Sequence, residues 1–206
     1  MQFLFWIGWT ISFVTLKVFF FHRAINARRL PHDRAAIIAG NHVSYLDPPI
    51  VGICFRKAVK FLARKTLFRT KFSNWLYPRL NAIPIDQEAP DLTGMKSVIR
   101  LLKNGNQVVL FPEGSRAPDG KIQPGAAGVG FIVSKARVPV VPVRIFGAHE
   151  ALPRGSSFPR FFKRITVVVG EPIEFSDDEL SAKGRDAYQH ITDRIMEAIA
   201  AIELEK

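Results

Sequence analysis

This 206-residue sequence lacks several features that would assign it to common classes of protein. It has a single cysteine, Cys54, which excludes an internal disulfide framework and favours a reducing compartment. We interpret Cys54 as a small buried hydrophobic residue. The chain also has no G-x-x-x-x-G-K-[ST], H-E-x-x-H or G-x-S-x-G pattern. These absences argue against a P-loop, a zinc-protease helix and the nucleophile elbow of a serine hydrolase.

Metal and dinucleotide sites are also poorly supported. The five histidines are scattered without the short spacing of metal ligands, so we expect no metal site. Gly125, Gly128 and Gly130 have the wrong order for a dinucleotide-binding loop. Repeats and low-complexity tracts are absent as well.

Acidic residues are scarce, and the resulting charge predicts the kind of partner. The chain has 29 basic and 18 acidic residues, a formal net charge of +11. Such an excess indicates an anionic partner, which leaves a phosphate substrate, an anionic lipid surface and nucleic acid open. The length suits one domain, and a hydrophobic content of 48% excludes a disordered chain.

Residues 1–21 are almost entirely apolar, and Lys17 carries their one charge. They have no basic start and no small-residue cleavage site, so a signal peptide is not indicated. A helix of about twenty apolar residues can span a bilayer. Basic residues such as Arg23, Arg28 and Arg29 follow it, and this predicts that the chain after about residue 23 faces the cytoplasm.

Two alternatives for this segment stay open. It could lie in the membrane interface with Lys17 reaching the headgroups, or it could be an ordinary buried core helix. We expect membrane attachment, with residues 1–24 as an N-terminal membrane-anchoring segment and residues 25–206 as an α/β domain.

The remainder alternates short apolar runs with helical patterns. Strands are predicted at residues 37–40, 59–63, 82–85, 107–111, 138–145 and 165–169. Helices are predicted at 48–55, at 92–102 after an Asp91 cap, at 125–136, and from a Ser176–Glu179 capping box to the end, with an irregular helical piece at 68–77. This alternation predicts an α/β fold, with a two-layer or sandwiched mixed, largely parallel sheet flanked by helices.

The turn after the first of these strands contains a candidate catalytic pair, His42 and Asp47. Five extended residues span about 16–18 Å, so the two side chains can meet only in a tight turn. Either Ser44 begins a helix with an S-x-x-D pattern, or Asp47 is itself the N-cap with Pro48 at the first helical position. A carboxylate on one ring nitrogen would make His42 a general base. The alternative is that Asp47 only caps the helix and His42 is incidental.

Other polar residues also follow predicted strands, where ligands bind in open α/β sheets. They are Arg64 and Lys65, Asp86, and the segment 113–116. Gly114 permits close backbone approach, and the planar guanidinium of Arg116 suits a phosphate. Lys65 could bind phosphate as a point charge, although a solvated lysine explains it equally well. Nothing in the pattern motivates Ser44 or Ser115 as an acyl-accepting nucleophile.

Taken together, these residues resemble the 1-acyl-sn-glycerol-3-phosphate acyltransferases (lysophosphatidate acyltransferases) of the glycerolipid acyltransferases. The resemblance covers roughly residues 35 to 175. It consists of four blocks in order, which are Asn41-His42 to Asp47, Lys65–Phe68 continuing to residues 81–86, the complete Phe-Pro-Glu-Gly-Ser-Arg at 111–116, and the Val-Pro run at 138–143, with Gly-Glu-Pro-Ile at 170–173 as a further match.

The resemblance implies an acyl transfer to the sn-2 hydroxyl of lysophosphatidic acid, which gives phosphatidic acid. His42, oriented by Asp47, would be the general base, with no covalent acyl-enzyme. Lys65, Glu113, Gly114, Ser115 and Arg116 would bind the phosphoglycerol end of the lysophospholipid acceptor. Acyl-CoA or acyl carrier protein would be the donor, with no permanently bound cofactor. The protein would work with membrane lipids on the cytoplasmic face of a bacterial inner membrane.

Two departures from the family pattern leave the acceptor open. Gln87 stands where an arginine often follows, and residues 122–124 lack a frequent lysine. The acceptor could therefore be another lyso-lipid, such as a lyso-ornithine lipid or another lysophospholipid.

A remote alternative is a non-catalytic basic protein that binds membranes or nucleic acid through Arg154, Arg160, Lys163 and Arg164. Acidic residues at strand ends argue against it. We expect no nucleic-acid partner, and we expect the aromatic-basic run at 158–164 to contact lipid headgroups.

Overall fold

The computed structural model describes residues 2–31, 33–86 and 92–204. The helices are α1 (Gln2–Phe20), α2 (Asp47–Gly52), α3 (Lys71–Arg79), α4 (Leu92–Lys103), α5 (Ala127–Ala136), α6 (Ala148–Ala151), α7 (Asp177–Ser181) and α8 (Arg185–Ala200). The strands are β1 (Arg23–Ile25), β2 (Ala36–Gly40), β3 (Lys60–Arg64), β4 (Ala82–Ile85), β5 (Gln107–Leu110), β6 (Val140–Phe146) and β7 (Thr166–Val169). Short 3-10 turns occupy Ala27–Arg29 and Lys65–Phe68.

The strands form one mixed sheet in the order β1-β7-β6-β2-β5-β3-β4. Neighbouring strands are parallel except β6 and β7, which are antiparallel. The predicted α/β class with a largely parallel sheet is therefore confirmed. β1 was not predicted, because a strand of only three residues is too short to show an alternating pattern. It pairs with β7, and this pairing fixes the end of α1 to the edge of the sheet.

Helices cover both faces of the sheet, so of the two predicted arrangements the sandwich is the correct one. Alternation along β2 sends Ile38 into a core with α1, α2 and α6, and Ile37 into a second core with α4, α5 and α8. All five residues of β2 are buried, as are all four of β5. Continuous burial is typical of parallel strands that are covered on both sides, and it holds the carboxyl ends of β2 and β5 side by side.

The small residues predicted to give a closely packed helix in 125–136 do so in α5. A side-chain carbon at Gly130 would lie 1.8 Å from the carbonyl oxygen of Tyr188 in α8. The Gly130 N–H also donates to the Thr192 hydroxyl at 3.0 Å. Because only glycine permits this approach, Gly130 fixes the distance between α5 and α8.

Several predicted boundaries are wrong. The Ser176–Glu179 capping box is present, but it opens the five-residue helix α7 rather than the final helix. The final helix, α8, begins at Arg185 after Gly184, whose φ of 104° breaks the helical path. The irregular piece predicted at 68–77 is the 3-10 turn Lys65–Phe68 followed by α3, which Thr70 caps. The predicted Asp91 cap and the departure at Gln87 lie outside the described residues.

The N-terminal apolar segment forms α1, and few of its residues are buried. Within the described part of the chain, α1 is the one helix long and apolar enough to cross a membrane, and 17% of its window Phe3–Phe20 is buried. Its inner side reaches the core through Leu16 and Phe20, and the Trp9 indole N–H donates to the Phe55 carbonyl at 3.2 Å. A core helix would be mostly buried, so the exposure of α1 argues against that alternative. Lys17 donates to the His22 carbonyl at 2.8 Å.

Candidate active site

The first site element is the turn between β2 and α2. Asn41 fixes its start because the side-chain amide donates to the Ile145 carbonyl at 3.1 Å and accepts the Ile145 N–H at 2.7 Å. Neither predicted helix start is correct, since α2 begins at Asp47 itself, after Leu46, with Pro48 in the first turn. Half of the S-x-x-D pattern does form, because Asp47 accepts the Ser44 N–H at 2.8 Å. The Ser44 hydroxyl instead accepts the Leu46 N–H at 3.1 Å.

Asp47 holds together the turn at residues 41–47, which we call the histidine loop, and its side chain is fully buried. Its Oδ2 lies 2.8 Å from His42 Nδ1 and accepts the N–H groups of Val43 at 2.7 Å and Ser44 at 2.8 Å. Its Oδ1 has no hydrogen-bond partner among the described residues. A carboxylate on Nδ1 orients the imidazole and leaves Nε2 as the nitrogen able to take a proton. The structure therefore brings together the two side chains that the sequence predicted as a pair.

The segment after β5 fixes both sides of His42. The imidazole stacks on Phe111, with ring centroids 4.3 Å apart and an interplanar angle of 14°. The His42 N–H donates to Glu113 Oε1 at 3.0 Å, and the His42 carbonyl accepts the Ala117 N–H at 2.8 Å. The histidine side chain nonetheless keeps 18% of its surface exposed. The predicted general base is therefore rigidly held but accessible.

The Glu113 carboxyl group lies against the histidine loop and accepts a hydrogen bond from its backbone. Burial raises the pKa of its carboxyl to about 7, and nearby Asp47 and Asp119 add to the rise, whereas hydrogen bonds from the backbone of His42 and Gln123 oppose it. Its Oε2 is buried without a hydrogen-bond partner in the described part of the chain. With this raised pKa, Glu113 changes protonation near neutral pH, within hydrogen-bonding distance of the His42 backbone.

Arg116 lies over Tyr45, which belongs to the turn between β2 and α2. Its guanidinium carbon is 3.3 Å from the centroid of the Tyr45 ring, a close cation–π contact. Its Nη1 is buried and has no hydrogen-bond partner among residues 2–31, 33–86 and 92–204. Arg154 donates to the Arg116 carbonyl at 3.1 Å. Because buried donors are normally satisfied, the unpaired Nη1 is a place where an anionic ligand can bind.

The remaining predicted residues are less constrained. Gly114 has a φ of 70°, which favours glycine, and its N–H closes the turn onto the Phe111 carbonyl at 3.0 Å. Ser115 is exposed. Lys65 begins the turn after β3, at the same edge of the sheet, but in the described structure no hydrogen bond or ion pair joins it to His42 or Arg116. The structure thus groups His42, Asp47, Glu113 and Arg116, and leaves Lys65 apart.

Sequence reasoning missed the supporting roles of Tyr45 and Phe111. Both stand inside the quoted blocks, but neither was assigned a contact. The sequence around an aromatic residue in a loop does not indicate what it stacks on, because the stacking depends on how two distant turns meet. Ser44 was weighed only as a nucleophile or a cap, whereas its buried hydroxyl donates to the Leu152 carbonyl at 2.8 Å. That bond ties the histidine loop to α6.

Comparison with known proteins identifies the family. The model of the Acyltransferase family matches residues 4–146. The 1-acyl-sn-glycerol-3-phosphate acyltransferase of Bacillus subtilis (strain 168) is 28% identical over 158 residues, which are 75% of this chain and 75% of that protein. The chloroplastic enzyme BAT2 of Brassica napus is 28% identical over 150 residues, 72% of this chain.

A solved structure agrees in fold. The crystal structure of the 1-acyl-sn-glycerophosphate (LPA) acyltransferase PlsC from Thermotoga maritima matches with a TM-score of 0.67 and 26% identity, over 99% of this chain and 80% of that one. The chain spans less than half the length of the chloroplastic relatives, since the aligned region covers 43% of BAT2 and 41% of LPAT1 of Arabidopsis thaliana. The matched residues 4–146 contain both the turn with His42 and Asp47 and the segment with Glu113 and Arg116. The chain therefore belongs to the Acyltransferase family.

Proposed function

We propose that this protein transfers an acyl chain from an acyl thioester to the sn-2 hydroxyl of lysophosphatidic acid and forms phosphatidic acid in phospholipid biosynthesis. The observation that carries the proposal is the contact of 2.8 Å between His42 Nδ1 and the buried carboxylate of Asp47, beside an arginine with an unpaired donor. The names of the Bacillus subtilis and Thermotoga maritima relatives support the same reaction. Family membership favours this enzyme over a non-catalytic basic binding protein.

The proposed chemistry uses Nε2 of His42, because Nδ1 is occupied by the contact with Asp47. As the acceptor hydroxyl oxygen attacks the thioester carbonyl carbon, its proton passes to His42 Nε2, and the Asp47 carboxylate stabilises the imidazolium that forms. The tetrahedral intermediate then breaks its carbon–sulfur bond. His42 returns the proton to the departing sulfur, which leaves an ester and a free thiol.

A covalent acyl-enzyme is not part of the proposal. The Ser44 hydroxyl is fully buried and donates to a backbone carbonyl, so it is not available to attack a thioester. Ser115 is exposed, and no hydrogen bond joins it to His42 within the described residues. Direct attack by the acceptor needs only the one base that the geometry supplies.

The acceptor's phosphate is assigned to the turn after β5. Arg116 offers its unpaired Nη1, and Gly114 and Ser115 expose backbone and hydroxyl groups beside it. Glu113 supports this turn from the side of the histidine, and Lys65 contributes a second positive charge from the end of β3. A planar guanidinium is the preferred partner of a phosphate that needs two parallel hydrogen bonds.

The acyl donor, the cellular location and the two segments of the chain follow from the same proposal. The donor is acyl-CoA or acyl carrier protein. Residues 1–24 attach the protein to a bacterial inner membrane, because only 17% of the apolar window Phe3–Phe20 is buried, and residues 25–206 form the α/β acyltransferase domain on the cytoplasmic face. Arg23, Arg28 and Arg29 follow α1 and favour that orientation.

The decisive experiment is an acyl-transfer assay with a panel of acceptors. Purified protein is given a radiolabelled acyl thioester with lysophosphatidic acid, other lysophospholipids or a lyso-ornithine lipid. Formation of phosphatidic acid by the wild type, and its loss in His42→Ala, is the expected result. Preference for a lyso-lipid without a phosphomonoester would overturn the acceptor and keep the reaction. Activity above a few per cent in His42→Ala would overturn the role of the base.

A further inference from the structure

A second surface outside the active site has the chemistry of a membrane contact. It is formed by the segment between α6 and β7, which we call the aromatic-basic loop and define as residues 158–164. Phe158, Phe161 and Phe162 expose 82%, 50% and 68% of their surfaces. Exposing one such side chain is common, but three in a short loop form an apolar patch of the kind that marks an interaction site.

The loop is fixed to the carboxyl end of α1. The Phe162 N–H donates to the Phe19 carbonyl at 2.7 Å, and the Ile165 N–H donates to the Phe20 carbonyl at 3.0 Å. The rings interlock as well, since Phe161 lies 5.4 Å from Phe19 and Phe162 lies 6.3 Å from Phe21, measured between centroids. The loop therefore extends the exposed apolar face of α1 where that helix ends.

The backbone at this seam is held in an unfavourable conformation. Phe21 and Phe162 have positive φ values of 48° and 63°, which are rare for bulky residues. These conformations leave Phe21 51% and Phe162 68% exposed. Contacts with the end of α1 hold these conformations, yet the rings of Phe21 and Phe162 stay outside the core, where they are accessible to a ligand.

The charges on the loop identify that ligand. Arg160, Lys163 and Arg164 are all exposed, and residues 151–170 contain no acidic residue. None of these three side chains takes part in an ion pair in the described structure. Exposed aromatic rings interleaved with unpaired cations suit the boundary of an anionic bilayer, where rings enter the headgroup region and cations bind lipid phosphates.

We propose that the aromatic-basic loop is a docking surface for anionic phospholipids, separate from the active site and acting together with α1. Its place at the end of α1 suits both depths open to that helix. If α1 spans the bilayer, the loop lies at the cytoplasmic headgroups. If α1 lies in one leaflet, the loop adds a second line of contact at its end. In either case the catalytic domain is held at the membrane by two points rather than one.

The test places an environment-sensitive fluorophore on the loop of the full-length protein. Phe158→Cys in a Cys54→Ala background carries the label, and Lys183→Cys on the opposite layer is the matched control site. Labelled protein is reconstituted with vesicles of phosphatidylcholine alone or with phosphatidylglycerol added. We expect a blue shift at position 158 that is larger with phosphatidylglycerol and smaller at high salt, and no shift at position 183.

A charge variant completes the test. Arg160→Gln, Lys163→Gln and Arg164→Gln together should raise the phosphatidylglycerol concentration needed for a half-maximal shift by at least roughly tenfold, because each cation near an anionic membrane strengthens binding. Lys103→Gln, Lys183→Gln and Arg185→Gln remove the same charge elsewhere and should leave the shift unchanged.

Three results would overturn the proposal. A label that stays water-exposed while the protein sediments with vesicles excludes a lipid contact. Equal shifts on both kinds of vesicle exclude a role for anionic lipid. A shift without vesicles that grows with protein concentration assigns the loop to a second copy of the chain. None of these readouts depends on acyl transfer, so failure here leaves the proposed reaction untouched.

Discussion

The backbone N–H of His42 donates to Oε1 of Glu113 at 3.0 Å, across 71 residues of sequence. This bond joins the turn after β2 to the turn after β5, which are neighbours because the two strands pair in parallel. We therefore expect Glu113 to act on His42 through the loop that carries it, as a positioning residue, in addition to its proposed contact with the acceptor.

The raised pKa of Glu113 predicts a pH dependence of stability. Between 4.5 and about 7 the folded protein keeps the Glu113 proton that the unfolded chain has lost. The free energy of unfolding should therefore fall as pH rises through this window and level off above it. Glu113→Gln removes the titration and should flatten this fall. Thermal unfolding of both proteins at several pH values checks the prediction, and parallel profiles would contradict it.

Replacing Asp47 by asparagine should reduce both activity and stability. The neutral amide cannot stabilise the imidazolium, and all three groups that contact Oδ2 lose their charged acceptor. We expect kcat to fall by about 10²–10⁴ and the free energy of unfolding to fall by about 1–3 kcal/mol.

His42→Ala is the matched control for Asp47→Asn. It removes the base but keeps the Val43 and Ser44 bonds to Asp47, so activity should be lost while the melting temperature stays close to that of the wild type. Equal stability in both variants would contradict a structural role for Asp47.

The stacking of Arg116 on Tyr45 predicts a specific effect on acceptor binding. Tyr45→Leu removes the ring under the guanidinium and frees Arg116 to leave the site. Because Tyr45 is 54% exposed, the contact belongs to the weaker cation–π class. We expect the acceptor KM to rise about two- to fivefold with little change in kcat. Tyr45→Phe keeps the ring and serves as the control. A fall in kcat at unchanged KM would assign Tyr45 to the chemical step instead.

Two glycines of α5 should differ in their tolerance of alanine. At Gly130 the added carbon meets the Tyr188 carbonyl, which is backbone and cannot move aside, so α5 and α8 must separate. We expect Gly130→Ala to destabilise the fold by about 1–3 kcal/mol or more. At Gly128 the contact is the flexible end of Met95, so alanine's better helix propensity, about 1 kcal/mol, should offset the crowding. Chemical unfolding of the two variants measures this difference.

Much of the fold could be predicted from local patterns. Runs such as Ala36–Gly40 and Gln107–Leu110 are continuously apolar or nearly so because both faces of a parallel sheet are covered, and this signal needs no partner to be read. Short elements escaped prediction for the opposite reason. The three residues of β1 are a strand only because β7 lies beside them, and α7 separates from α8 only because Gly184 turns the chain.

The sequence by itself determined which candidate groups this protein has. The residue types at His42, Asp47, Glu113 and Arg116, their spacing within each turn and the apolar N-terminal segment are all written in the order of residues. Family, fold class and the identity of the candidate groups follow from them.

Only the tertiary structure decided which of these groups meet. Parallel pairing of β2 with β5 places the His42 backbone against Glu113 and the His42 ring against Phe111. Among the described residues it leaves Lys65 without a hydrogen bond to His42 or Glu113. The return of the chain to α1 likewise joins residues 158–164 to Phe19 and Phe20. Contacts between distant segments depend on how strands pair and helices pack. A sequence pattern does not give the spatial distance between residues that are far apart in the chain.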